Sequence, residues 1–182
     1  MPIHLSGARR TIAAAHRAQV PVVVGGRAFS AKRACAVGAD AWATDVAGAR
    51  PFLDSWTAAR PALAQPGPTS WELVELEQPS AGLIDDCMFE LLDRAPQLGE
   101  MSETQPLRTR EDIGYILQSC SAALLTEDQT LMDEFTTWLC ELLASRHVPS
   151  SAIRVSYEAI ATVLGGGFPC AVATLTAAQE WL

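Results

Sequence analysis

The chain has 182 residues, 49% of them hydrophobic and 19% charged, with a formal net charge of −8. That length and balance suit one domain or two small ones with a real core, and they exclude a disordered chain. Its apolar runs fall well short of the ~20 residues a membrane span needs, and MPIHLSGARR lacks the basic-then-apolar order of a secretory signal, so the expected location is the cytoplasm.

Charge is uneven. Residues 1–60 hold eight Lys/Arg against three Asp/Glu, a net of +5; residues 61–182 hold five against eighteen, a net of −13. An acidic second half repels a phosphate backbone, and the basic first half lacks interleaved aromatics, which argues against nucleic-acid binding. Opposite signs instead favour contact between the halves, or between copies in a homo-oligomer. The five cysteines (Cys35, Cys87, Cys120, Cys140, Cys170) are odd in number and at least twenty residues apart. That spacing excludes a metal knuckle and reads as small hydrophobes in a reduced core.

In chain order, Ser6 reads as the N-cap of a helix over 7–18, with Ile12 on one side and arginines on the other. Val20–Val24 is β-branched apart from Pro21 and ends at Gly25-Gly26, the signature of a strand. Ser30 caps a second helix that stops at Gly38, residues 39–43 form a second strand, and Asp45 caps a third helix. Strands alternating with helices predict a parallel sheet. Residues 60–70, RPALAQPGPTS, read as linker.

Beyond it the period is helical throughout, over roughly 80–94, 110–125, 127–146, 150–164 and 170–181. Thr109 with Asp112 and Thr126 with Gln129 are capping-box candidates. Leu131, Phe135, Trp138, Leu139, Leu142 and Leu143 define one buried face. The expected division is 1–59 α/β, 60–78 Pro-rich linker and 79–182 helical bundle, mainly α overall.

Candidate chemistry is sparse. Asp85-Asp86, Glu127-Asp128 and Asp133-Glu134 are adjacent pairs, which point to different sides of a helix and cannot converge as an acid/base couple. Gly165-Gly166-Gly167 lacks the Lys-Ser/Thr of a P-loop and reads as a joint between helices. His147 closes a helix, where a cation meets the negative dipole end, and His16 with its arginine neighbours reads as a solvated face. No Ser or Cys sits in an elbow motif with a histidine partner. The expectation is a protein without enzymatic activity, and no residue is assigned to a metal.

The stretch PIHLSGARRTIAAAHRAQVPVVVGGRAFSAKRACAVGADAWATDVAGA resembles the C-terminal part of a cobalamin (vitamin B12)-binding domain, most closely that of actinobacterial sensor-type proteins. The resemblance covers about the first fifty residues and rests on Gly-Gly followed at this spacing by GADAWATD. It implies a flavodoxin-like fold with a last pair of parallel strands. It also implies that Gly25, Gly26, Arg27, Ala28 and Phe29 line a slot for the cobalamin nucleotide tail, beyond the carboxyl ends of the strands. The family's D-x-H-x-x-G motif, which supplies the lower cobalt ligand, is not matched. His4-Leu5-Ser6-Gly7 has the H-x-x-G pattern, but Pro2 stands in place of the Asp that would orient the imidazole, so His4 is expected in the loop before the penultimate helix. The segment ALLTEDQTLMDEFTTWLCELLASRHVPSSAI is similar, at the level of pattern, to the helical domain that follows the cobalamin module in those proteins.

The leading expectation is therefore a cobalamin-binding-type sensor or regulatory protein lacking the front of its B12 domain, with corrinoid as its ligand. The alternatives are a ligand-free helical module for homodimerisation or partner binding and, less favoured, the corrinoid subunit of a methyltransferase or mutase.

Overall fold

The structure, a computed structural model, describes residues 4–67, 69–96, 105–146 and 148–182, and of His4 and Gln105 the backbone only. The chain divides into two compact units, Met1–Thr69 and Ser70–Leu182. Its architecture is mainly α, with a small two-stranded parallel sheet in the first unit.

The first unit runs α1 (His4–Arg17), β1 (Val23–Gly25), α2 (Ala31–Ala36), β2 (Ala41–Ala43) and α3 (Val46–Ala58). The strands pair in parallel, Val23 opposite Ala41 and Gly25 opposite Ala43. Two predicted caps form as read. Ser30 Oγ accepts the Arg33 N–H at 3.3 Å, and Asp45 Oδ1 accepts that of Gly48 at 2.8 Å. Each satisfies a donor that the first helical turn leaves orphaned. Gly38 closes α2 at φ +78°, a left-handed backbone open to glycine at no steric cost.

Other expectations shift. α1 begins at His4, so Ser6 lies buried inside its first turn instead of capping it, and His4 opens a helix instead of lying in a loop. The first strand is shorter than 20–24 because Pro21 has no N–H to donate and Val20 stands in solvent. α3 buries no residue and carries Pro51 in its interior, which costs one backbone hydrogen bond.

The expected linker, 60–78, is shared between the units. Residues 61–67 belong to the first: the Ala64 N–H donates to Asp40 Oδ1 at 2.7 Å, and Pro66 packs so closely on Gly38 that a Cβ there would stand 3.1 Å from the Pro66 Cα. Residues 71–77 form α4 (Trp71–Glu77), capped by Ser70, whose Oγ accepts the Leu73 N–H at 3.2 Å. Leu73 and Leu76, one turn apart and both buried, hold this short helix down.

The second unit continues with α5 (Ala81–Arg94), α6 (Gln105–Thr126), α7 (Thr130–Ala144), α8 (Ser150–Leu164) and α9 (Pro169–Ala178), with 3-10 turns at Gly165–Gly167 and Gln179–Trp181. α6 is central. It packs against α4, α5, α7 and α9, and buries Ile113, Ile116, Leu117 and Cys120 completely or nearly so. Each such side chain contributes about 1.5–3 kcal/mol of burial free energy.

Neither capping box forms here. α6 starts before residue 110, which puts Thr109 inside it; Thr126 is its last residue and turns its hydroxyl back to the Ala122 carbonyl at 2.9 Å. On α7, Leu131, Phe135 and Leu139 are buried as predicted, joined by Met132, whereas Trp138 is exposed and Leu142 and Leu143 only half-buried. Cys87 and Cys120 are core residues, but Cys35 and Cys170 are exposed and Cys140 is half-buried. Among the described residues, no helix is long and apolar enough to cross a membrane.

Candidate functional site

The residues expected to line a ligand slot form one continuous turn at the carboxyl end of β1. Gly25 ends the strand, and the Phe29 N–H donates to the Gly26 carbonyl at 3.1 Å, closing a tight turn with Arg27 and Ala28 at its corners. The Phe29 carbonyl accepts the indole N–H of Trp42 at 3.1 Å, which ties the turn to β2. Gly25, Gly26 and Arg27 are exposed, and Ala28 and Phe29 half-buried.

The two glycines are required for different reasons. A Cβ on Gly25 would stand 2.7 Å from the Ala43 carbonyl oxygen, a backbone atom of the paired strand. Gly26 has nothing within 4 Å of its Cβ position; its φ of +91° is what excludes an ordinary side chain. So close strand pairing by itself accounts for Gly25, and the space over Gly26 is open.

At the amino ends of the strands lies a polar cluster that the sequence reading passed over. Asp40, immediately before β2, has a side chain only 3% exposed. Its Oδ2 accepts the Val22 N–H at 2.7 Å and the His16 Nε2 at 2.8 Å, and its Oδ1 accepts the Ala64 N–H at 2.7 Å. Burial alone pushes this carboxyl up, but the hydrogen bonds from Ala64, Val22 and His16 outweigh it and hold Asp40 below the ordinary aspartate range. An ionised carboxylate accepts only, so His16 Nε2 carries the proton it shares with Asp40.

One carboxylate thus fastens the C-terminal turn of α1, the lead into β1 and the segment after α3. His16 is not the solvated residue its arginine neighbours imply: its side chain is 14% exposed. The legible signal is its position four residues after Ile12, on the stripe of α1 that faces inward.

The second unit holds buried polar groups of its own. Glu72, 4% exposed, sits across the N-terminus of α9, where Oε1 accepts the Cys170 N–H at 3.3 Å and Oε2 the Ala171 N–H at 2.9 Å. A carboxylate there complements the positive end of the helix dipole. Its charge pushes the Cys170 thiol up. Burial, with a smaller effect from Glu72, pushes the Cys120 thiol up to about 12, so this cysteine is inert. Tyr157 and Thr136 hydrogen-bond to each other in the core at 2.8 Å. Asp85 pairs with Arg110, joining α5 to α6, and does not converge with its neighbour Asp86 on any site. His147 lies outside the described residues.

Among the described residues, no three His, Cys, Asp or Glu side chains gather into a group that would hold a metal ion. No protein-family model matches the chain, and no curated protein is significantly similar to it.

Proposed function

We propose that this chain is a cytoplasmic, non-enzymatic regulatory protein of the cobalamin-binding sensor type, in which the α/β unit meets the corrinoid and the helical bundle passes the signal on. The observation that carries this reading is the turn at residues 25–29, at the carboxyl end of a strand in a parallel sheet, where open-sheet ligands bind. The clear space over Gly26 admits the close approach of a nucleotide tail. His16 cannot double as a lower cobalt ligand at that turn, because Asp40 holds it at the other end of the strands. The reading is therefore of contact through the tail, made by Gly25, Gly26, Arg27, Ala28 and Phe29, and of modest affinity.

Titration of the full chain with hydroxocobalamin, followed by gel filtration with visible absorbance, tests it. Corrin colour co-eluting with the protein, and lost in Gly26→Val, is the expected result. A colourless protein peak overturns the reading.

A second reading, a ligand-free module for homodimerisation or partner binding, is favoured by a different observation. α3 exposes Val46, Phe52 and Leu53, the first of them 87% accessible, and the two-stranded sheet leaves its outer edges unpaired. Light scattering that returns a clean monomer at high concentration counts against self-association.

A further inference from the structure

Arg9, Ile12, Ala13, His16 and Arg17 recur at i, i+3, i+4, i+7 and i+8, which places all five on one stripe of α1. That stripe, with Val37 and Gly38 at the end of α2 and the segment Leu63–Pro66, lines a concave pocket of about 440 Å³ within the first unit. This volume falls in the range of small-molecule sites, ~300–1,000 Å³. The pocket lies at the amino ends of the strands, beside the His16–Asp40 bond, and is separate from the turn at residues 25–29.

Its walls divide sharply by chemistry. Ile12, Val37, Leu63 and Pro66 supply an apolar floor, while Arg9 and Arg17 stand two helical turns apart, about 12 Å along the axis. Arg9 donates to the neutral hydroxyl of Thr69, which leaves its charge uncompensated. Among the described residues, neither guanidinium is paired with a carboxylate. Asp40, bonded to the lining residues His16 and Ala64, already accepts from three donors. The result is an apolar trough with an unneutralised cation at each end.

We propose that this pocket binds a medium-chain aliphatic α,ω-dicarboxylate, its spine on the apolar floor and its two carboxylates on Arg9 and Arg17. Arginine suits both ends because its planar fork takes a carboxylate through two parallel hydrogen bonds. The proposal is independent of corrinoid binding, since it uses none of the residues of the turn at 25–29.

Calorimetric titration of the full chain with suberate tests it, with octanoate and octane-1,8-diol as one-headed and uncharged comparisons. Suberate is expected to bind one-to-one, at least tenfold more tightly than octanoate, with no saturable heat from the diol. Losing one charge-assisted contact is worth about tenfold or more. Arg9→Gln and Arg17→Gln should each bring suberate down to the affinity of octanoate. Arg10→Gln, which removes the same charge from an exposed position on α1, should leave suberate binding unchanged. Arg→Gln is a mild change in helix propensity, and circular dichroism confirms that each variant is folded. Suberate that binds no better than the diol, or that loses as much affinity in Arg10→Gln as in the pocket variants, overturns the proposal.

Discussion

Asp40→Asn removes a single charge and keeps the shape, so it isolates what the Asp40 carboxylate does. Wild-type Asp40 accepts three short hydrogen bonds, two from backbone N–H groups of different segments and one from an imidazole, at 2.7–2.8 Å. The amide of Asn offers one acceptor oxygen; its NH₂ must face at least one of these donors. Hydrogen bonds to charged groups contribute ~1.5–3 kcal/mol each, and a buried donor left unmatched costs a similar amount. Allowing for non-additivity, the loss is about 3–4 kcal/mol. At ~0.05–0.15 kcal/mol per residue, a unit of this size has roughly 3–10 kcal/mol in all. The first unit of the variant should therefore sit near its unfolding threshold.

Amide hydrogen exchange resolves this by position. Val22 and Ala64 should exchange roughly a few hundredfold faster in the variant, while amides of α8 in the second unit keep their protection. Unchanged exchange at Val22 and Ala64 would refute the reasoning, because those two N–H groups would then owe nothing to Asp40. Acid gives a second route to the same result. The folded carboxyl titrates below its ordinary value of 3.8, so its stabilisation is complete above that value. It is lost as pH falls through the lower folded value. The first unit should loosen in that acidic window in the wild type, and the Asn variant should show no such transition there.

The glycines at the end of β1 separate on mutation. Gly25→Ala drives a Cβ to 2.7 Å from the Ala43 oxygen, so the strands must part, at a cost of about 1–3 kcal/mol; Gly26→Ala meets no atom and bears only the φ strain, about 1–2 kcal/mol. Urea unfolding followed by first-unit amide exchange should rank Gly25→Ala as the more damaging, and the reverse order would contradict the strand-contact argument. Glu72→Gln keeps the shape and one acceptor oxygen, turns its NH₂ toward the other backbone N–H, and removes the charge that raises the Cys170 thiol. Iodoacetamide should then alkylate Cys170 faster at mildly alkaline pH, read by mass spectrometry against wild type; an unchanged rate would dissociate the thiol from Glu72.

What the sequence determined alone was whatever depends on neighbours a few residues away. Ser30 and Asp45 cap their helices because the bonded N–H lies three positions on, and Gly38 takes a left-handed φ because the helix must stop there. The same locality explains α8 and the alternation of the first unit. Local rules failed where two of them competed. Thr109 and Thr126 have capping chemistry, but α6 runs through Thr109 and ends on Thr126, whose hydroxyl bonds back to the Ala122 carbonyl. Prolines on either side concealed α4, although Ser70, Leu73 and Leu76 were spaced for it.

Only the tertiary structure decided the rest. Nothing within reach of Asp40 along the chain announces that it will meet His16, Val22 and Ala64, separated from it by 24, 18 and 24 positions. Nor does α1 reveal that its stripe of two arginines and a histidine faces a pocket closed by Leu63–Pro66. A carboxylate looks the same in sequence whether it will be solvated or buried. The difference arises when folding brings donors from distant segments within 3 Å of it, and desolvation makes each of those bonds costly to lose.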